Sequence, residues 1–139
     1  MEQTIQLQGN ILRRIVAAVI DYGLLYGLCF AYLLTFGTPN EEGLLSVSGV
    51  MALPIPLMWF LLIVGIEQAV GATVGNGIMG LKPLTLIGNK PSMMQSFKRH
   101  MLDFPDMFFC GLVAIIAIIS TEKKQRLGDL WAKTIVVRA

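Results

Sequence analysis

The stretch IVAAVIDYGLLYGLCFAYLLTF, from Ile15 to Phe36, decides the fold. Its 22 positions hold one charge, Asp21. About 20 apolar residues in a helix suffice to cross a hydrocarbon core of roughly 30 Å. Arg13 and Arg14 stand directly before the run. A cleaved signal peptide fits poorly: the run is too long, contains an acid and lacks a small-x-small exit site. The rest of the chain agrees. Of its 139 residues, 55% are hydrophobic and 14% are charged, against about 25% charged in a soluble domain. The mean hydropathy of +0.67 disfavours a soluble enzyme, a nucleic-acid binder and a disordered tail. A net charge of +2 implies no polyanionic partner. Cys29 and Cys110 each lie inside apolar runs and read as buried packing residues rather than as a disulfide.

Two further apolar runs follow. Val47–Val70 is interrupted only by Pro54, Pro56 and Glu67, with both prolines near the start, where they do least harm. Phe104–Ser120 contains Asp106 and is short for a full span. The expected architecture is therefore an all-α membrane protein. It has three transmembrane helices (about 12–36, 48–70 and 104–120), a short interfacial amphipathic helix and room for a small β-hairpin, in one domain spanning 1–139.

The loop after the first run carries Glu41 and Glu42, whereas residues 71–100 carry Lys82, Lys90, Lys98 and Arg99 and no acid. The positive-inside rule puts the N-terminus and the polar segment 71–103 in the cytoplasm. Three crossings then leave the C-terminus outside, although Lys123, Lys124, Arg126, Lys133 and Arg138 make it basic. Three crossings are the preferred reading, and a third segment that enters and returns is the alternative.

The glycine-rich residues 71–80 lack the Lys-Ser/Thr and the preceding strand of a phosphate loop, so they read as a turn. Residues 81–90 alternate weakly, with Pro83 limiting any strand to an edge. Ser92 and Gln95 form a capping box for a helix beginning near Met93, whose Lys98, Arg99 and His100 suit lipid headgroups. The β-type run Thr134–Val137 can pair with 84–87 only if both lie on one side of the membrane.

Charges inside a bilayer are expensive and therefore informative. Asp21, Glu67 and Asp106 are the three acids in or at the edge of the runs, and Glu67 is close enough to a helix end to snorkel. One spacing repeats: Arg14-x6-Asp21 and Arg99-x6-Asp106. Seven residues place each pair on one helical face but too far apart to bond within a helix. Pairing between helices is expected instead, Arg14 with Asp106, Arg99 with Asp21, or both. Gly23, Gly27 and Ala31 make a small-xxx-small stripe, suited equally to packing within the chain and to self-association. His100, the single histidine, reads as a surface residue. One His and two separated Cys cannot build a tetrahedral metal site, so neither enzyme chemistry nor a cofactor is expected. The tryptophans and tyrosines read as packing or interfacial anchors.

The chain resembles the RDD family of small membrane proteins, named for one Arg and two Asp. Arg14-x6-Asp21 resembles the family's first helix. Glu67 with Gly71-Ala-Thr73-Val-Gly75 and Gly80-Leu81 is similar to its glycine segment, Arg99-x6-Asp106 to the entry of its last membrane helix, and Gln125-Arg126-Leu-Gly-Asp129-Leu with Thr134-Ile-Val-Val to its closing segment. Asn76 departs from the pattern, since it stands where the family has Lys. The resemblance implies a transport-related protein, with cation/proton antiport proposed for some members, and gives no substrate. Such transport needs titrating acids, and three helices enclosing a path imply a homo-oligomer. The second reading is a non-catalytic scaffold or assembly partner whose Arg/Asp pairs fix helix register. In both readings the location is the bacterial cytoplasmic (inner) membrane, with the N-terminus inside.

Overall fold

The computed structural model describes residues 10–104 and 111–139. Two helices are long and apolar enough to cross a membrane: α1 (Ile11–Phe36) and α2 (Gly49–Val70). Only 17% and 11% of their apolar windows are buried, so neither is the core helix of a soluble domain. On α1 the buried residues are Arg14, Ala17, Asp21 and Leu25. Their spacing of three and four puts them on one stripe, and Val19, Phe30 and Leu34 face outward. An apolar outer surface of this extent is stable only against lipid or a partner.

α2 starts as a tight 3₁₀ turn at Gly49–Ala52. Pro54 and Pro56 occupy the next turn, where missing amide donors cost little. A wider π-type turn covers Phe60–Gly65 and buries Ile63 and Val64 just ahead of Glu67. The helix stops at Gly71, whose φ of 92° is left-handed and so suits glycine. The expectation of a turn there holds. A two-residue antiparallel ladder, β1 (Thr38–Pro39) with β2 (Leu45–Ser46), closes the α1–α2 loop.

A polar cap forms at the other end. α3 (Val74–Ile78) is N-capped by Thr73, whose Oγ1 accepts the Asn76 amide at 3.2 Å. Then come β3 (Leu81–Thr85) and α4 (Met93–Met101), which opens on the Ser92/Gln95 capping box anticipated from sequence. α5 (Leu112–Ser120), α6 (Leu127–Ala132) and β4 (Thr134–Arg138) complete the chain. β3 and β4 pair antiparallel, from Leu81↔Arg138 to Thr85↔Thr134. They are distant in sequence, so this is a ladder and not a hairpin. Leu81 and Val136 pack on Ala17 of α1.

Among the described residues two helices, not three, qualify as membrane spans. Asp103 and Arg126 flank the third apolar run, and they are joined at 2.8 Å. The two flanks of the run therefore lie at the same end of the molecule. The helix described within the run, α5, has nine residues, about 13.5 Å at 1.5 Å per residue. Cys110 and Asp106 lie outside the described residues, and Cys29 is half-buried. Gly23, Gly27 and Ala31 all face outward. A Cβ added at Gly23 or Gly27 would meet nothing within 4 Å among the described residues.

Candidate functional site

Where α1, α2, α4 and α6 converge, charged side chains are buried together. Arg99 of α4 is fully buried and donates through Nε to Asp129 Oδ1 and through Nη1 to Glu67 Oε1, both at 2.8 Å. Glu67 is buried rather than snorkelling. Its Oε1 also accepts Ser96 Oγ at 2.6 Å, and Ser96 in turn accepts from Gln68 Nε2 at 2.7 Å. Asp129 gathers three arginines: Arg99, Arg14 Nη1 at 3.5 Å and Arg126 Nε at 3.8 Å. It also accepts the Arg126 amide at 3.1 Å, as part of the α6 capping box. Burial would raise the Asp129 pKa, but Arg99, Arg126 and Arg14 hold it below the ordinary carboxylate range. Burial would likewise lower the Arg99 pKa, yet Glu67 and Asp129 hold it above its ordinary value.

Asp21 has different partners. Its Oδ2 accepts Thr73 Oγ1 and its Oδ1 accepts the Gly75 amide, each at 2.6 Å. The expected Arg99–Asp21 pair therefore does not form. Two short donors from the α3 N-terminus satisfy Asp21, while Arg99, on α4, meets Glu67 and Asp129. The Arg14–Asp106 alternative falls on a residue outside the described set. Gly75 is required here because an added Cβ would lie 2.0 Å from the Ala17 carbonyl oxygen. Thr73, Gly75, Arg126 and Asp129, quoted from the family motifs, all belong to this site.

His100 corrects its reading as a surface residue. It is 5% exposed, with Nδ1 2.7 Å from Asp103 Oδ2 and Nε2 3.0 Å from Glu67 Oε2. Tyr22 Oη donates to Asp103 Oδ2 at 2.7 Å. Burial alone would lower the His100 pKa, but Asp103 and Glu67 raise it above its ordinary value. For Asp103, burial is outweighed by Arg126, His100 and Tyr22, which hold its carboxyl far below the usual range. Sequence reasoning missed His100, Asp103, Tyr22 and Ser96. A signal was present: Ser96, Arg99, His100 and Asp103 follow the i, i+3, i+4, i+7 spacing of one helical face.

A cavity of about 160 Å³ borders this network, lined by Arg14, Asp21, Tyr22, Asn76, Arg99, His100, Asp103 and Arg126, with apolar walls from α1 and α5. A wider groove of about 720 Å³ runs between α1 and α2 past Leu25, Tyr26, Ile55 and Trp59. Tyr22, His100 and Asp103 line both spaces. Among the described residues no three His, Cys, Asp or Glu side chains form a metal-binding group.

The RDD family model matches residues 9–133. The chain belongs to the RDD family. Arg14, Asp21, Glu67, Thr73, Gly75, Arg99, Arg126 and Asp129, which carried part of the resemblance in sequence, are gathered by the fold into this network. For this RDD chain no curated protein and no solved structure gives a match.

Proposed function

We propose that this RDD-family membrane protein carries out proton-coupled exchange of small cations. It acts as a homo-oligomer in the bacterial cytoplasmic (inner) membrane, with its N-terminus inside, and has no enzymatic activity. One observation carries the reading: both ring nitrogens of His100 face carboxylate oxygens within 3.0 Å. An ionised carboxylate only accepts hydrogen bonds, so both nitrogens must donate, and the site holds one proton beyond a neutral imidazole.

Charge counting makes that proton exchangeable for a cation. With His100 protonated, the positive groups are Arg14, Arg99, Arg126 and His100 and the negative groups are Asp21, Glu67, Asp103 and Asp129. The two sets balance. Loss of the proton leaves one uncompensated negative charge in a low-dielectric site, which a monovalent cation beside Asp21 restores. The outward Gly23/Gly27/Ala31 stripe supplies a seam for a second copy.

The test is proton flux in proteoliposomes under a pH gradient with Na⁺ or K⁺. Cation-dependent flux that Asp21→Asn and His100→Gln abolish, in folded protein, is the expected result. No cation-dependent flux in the unmodified protein overturns the reading. A scaffold is the second reading, favoured by the saturation of Glu67 by Arg99, Ser96 and His100. It expects Asp21→Asn to leave fold and partner binding intact.

A further inference from the structure

Two arginines in the network are incompletely satisfied. Among the described residues, Arg14 Nε and Arg99 Nη2 are buried and have no hydrogen-bond acceptor, and Arg14 Nη1 has only the Asp129 carboxylate at 3.5 Å. Arg14 is 9% exposed and Arg99 is fully buried. Both guanidinium groups converge on Asp129, at 3.5 and 2.8 Å. Both also line the cavity of about 160 Å³. Buried charged donors without acceptors are costly, and native proteins rarely leave them so.

We propose that this cavity is an oxyanion site, in which one carboxylate or phosphate group bridges Arg14 and Arg99. Guanidinium forks match planar or tetrahedral oxyanions geometrically. The attraction comes from unfilled donors rather than from net charge. Arg14, Arg99, Arg126 and His100 line the cavity with Asp21 and Asp103, and Glu67 and Asp129, which balance the network, engage Arg99 through Nη1 and Nε and leave its Nη2 without an acceptor among the described residues. Asp21 lies seven residues along α1 from Arg14, about 10.5 Å, so the oxyanion and the carboxylate of the transport reading occupy different ends of the cavity.

The walls indicate two sources for the oxyanion. Ile15 and Val19 of α1 and Ala114 and Ile118 of α5 make the sides of the cavity apolar, and Ile15 and Val19 are also exposed on the outer face of α1. An acyl chain can lie along that face with its headgroup on Arg14, which stands one turn inside the start of α1. A free small oxyanion uses the same donors without the apolar walls. The inference is independent of the transport reading, because it concerns binding and is measured without flux.

The test is thermal unfolding of the full chain. In neutral detergent, sodium formate and inorganic phosphate are titrated against sodium chloride at matched ionic strength. In nanodiscs, phosphatidylcholine is compared with phosphatidylcholine containing phosphatidic acid. A saturable rise in Tm with formate or phosphate identifies a free oxyanion. A rise only with phosphatidic acid identifies a lipid headgroup. In either case Arg14→Gln should weaken the response by about tenfold or more, the loss of a charge-assisted hydrogen bond. Should Arg14→Gln fail to fold, Ala114→Leu, which narrows the cavity without touching an ion pair, should weaken it likewise. No response in the unmodified protein, as for a cavity filled by water alone, overturns the proposal. A response unchanged in Arg14→Gln, or in Ala114→Leu where that is the folded variant, overturns it too.

Discussion

Arg99 Nε and Asp129 Oδ1 lie 2.8 Å apart with neither side chain exposed, joining α4 to α6 across 30 residues of chain. The pair holds α4 and α6, which lie on either side of the third apolar run, in one polar cap. A buried pair need not add net stability, but removing one partner strands the other charge, at a cost of about 3–5 kcal/mol. Arg99→Met should therefore unfold the cap, seen as a loss of that size in denaturant titration of micelle-held protein. Arg99→Lys should recover little, because one ammonium cannot serve Glu67 and Asp129 in the geometry of a guanidinium fork. A Lys variant as stable as the parent would contradict this.

Gly75 and Gly128 permit two close backbone approaches. Added Cβ atoms would lie 2.0 Å from Ala17 O and 2.2 Å from Arg99 O. Gly75→Ala and Gly128→Ala should each cost about 1–3 kcal/mol, as overpacking does. Gly27→Ala meets no atom within 4 Å, so it should leave Tm unchanged or slightly raised. Gly27→Leu should lower self-association if the outward stripe is a seam, which crosslinking or analytical ultracentrifugation in detergent would report.

Asp21 depends on Thr73. The 2.6 Å hydrogen bond is lost in Thr73→Val, leaving a buried carboxylate with the Gly75 amide as its remaining described donor. The expected cost is about 1–3 kcal/mol, with Thr73→Ser close to the parent. Equal stability of the Val and Ser variants would remove the hydroxyl from the account.

The pH dependence has two limbs. His100 has a folded pKa above its ordinary 6.5. Its contribution is fully present below that unfolded value and is lost as pH rises through the folded one. Asp103 has a folded pKa below its ordinary 3.8. Its contribution is present above 3.8 and is lost as pH falls through the folded value. Stability should therefore fall on both sides of a plateau, and His100→Gln should flatten the alkaline limb measured by Tm against pH.

Membrane sidedness follows from the β3–β4 ladder. In a background lacking Cys29 and Cys110, Lys90→Cys and Ala139→Cys should label from the same side with an impermeant reagent. Glu42→Cys should label from the other. Opposite labelling of residues 90 and 139 would be incompatible with the pairing of Leu81 with Arg138.

Much of this was legible in the residues. The apolar runs set α1 and α2, because a helix that satisfies its own backbone is the cheapest way through lipid. Ser92 with Gln95 set the start of α4, and Gly71 set the end of α2, since capping and positive φ are local. The importance of Arg14, Asp21, Glu67 and Arg99 was also local information: isolated charges in apolar sequence must be used. Which charge meets which was not. A seven-residue spacing gives a face and no partner, and the nearest acids to Arg99 arrive from α2 and α6, 32 and 30 residues away. The same holds for His100, which composition assigned to the surface and tertiary packing placed between two carboxylates. The sequence by itself determined that the chain is a helical membrane protein with a few obligatory buried charges. Only the tertiary structure decided their pairing and the meeting of β3 with β4, because ion pairs and strand ladders form between residues that the fold alone brings together.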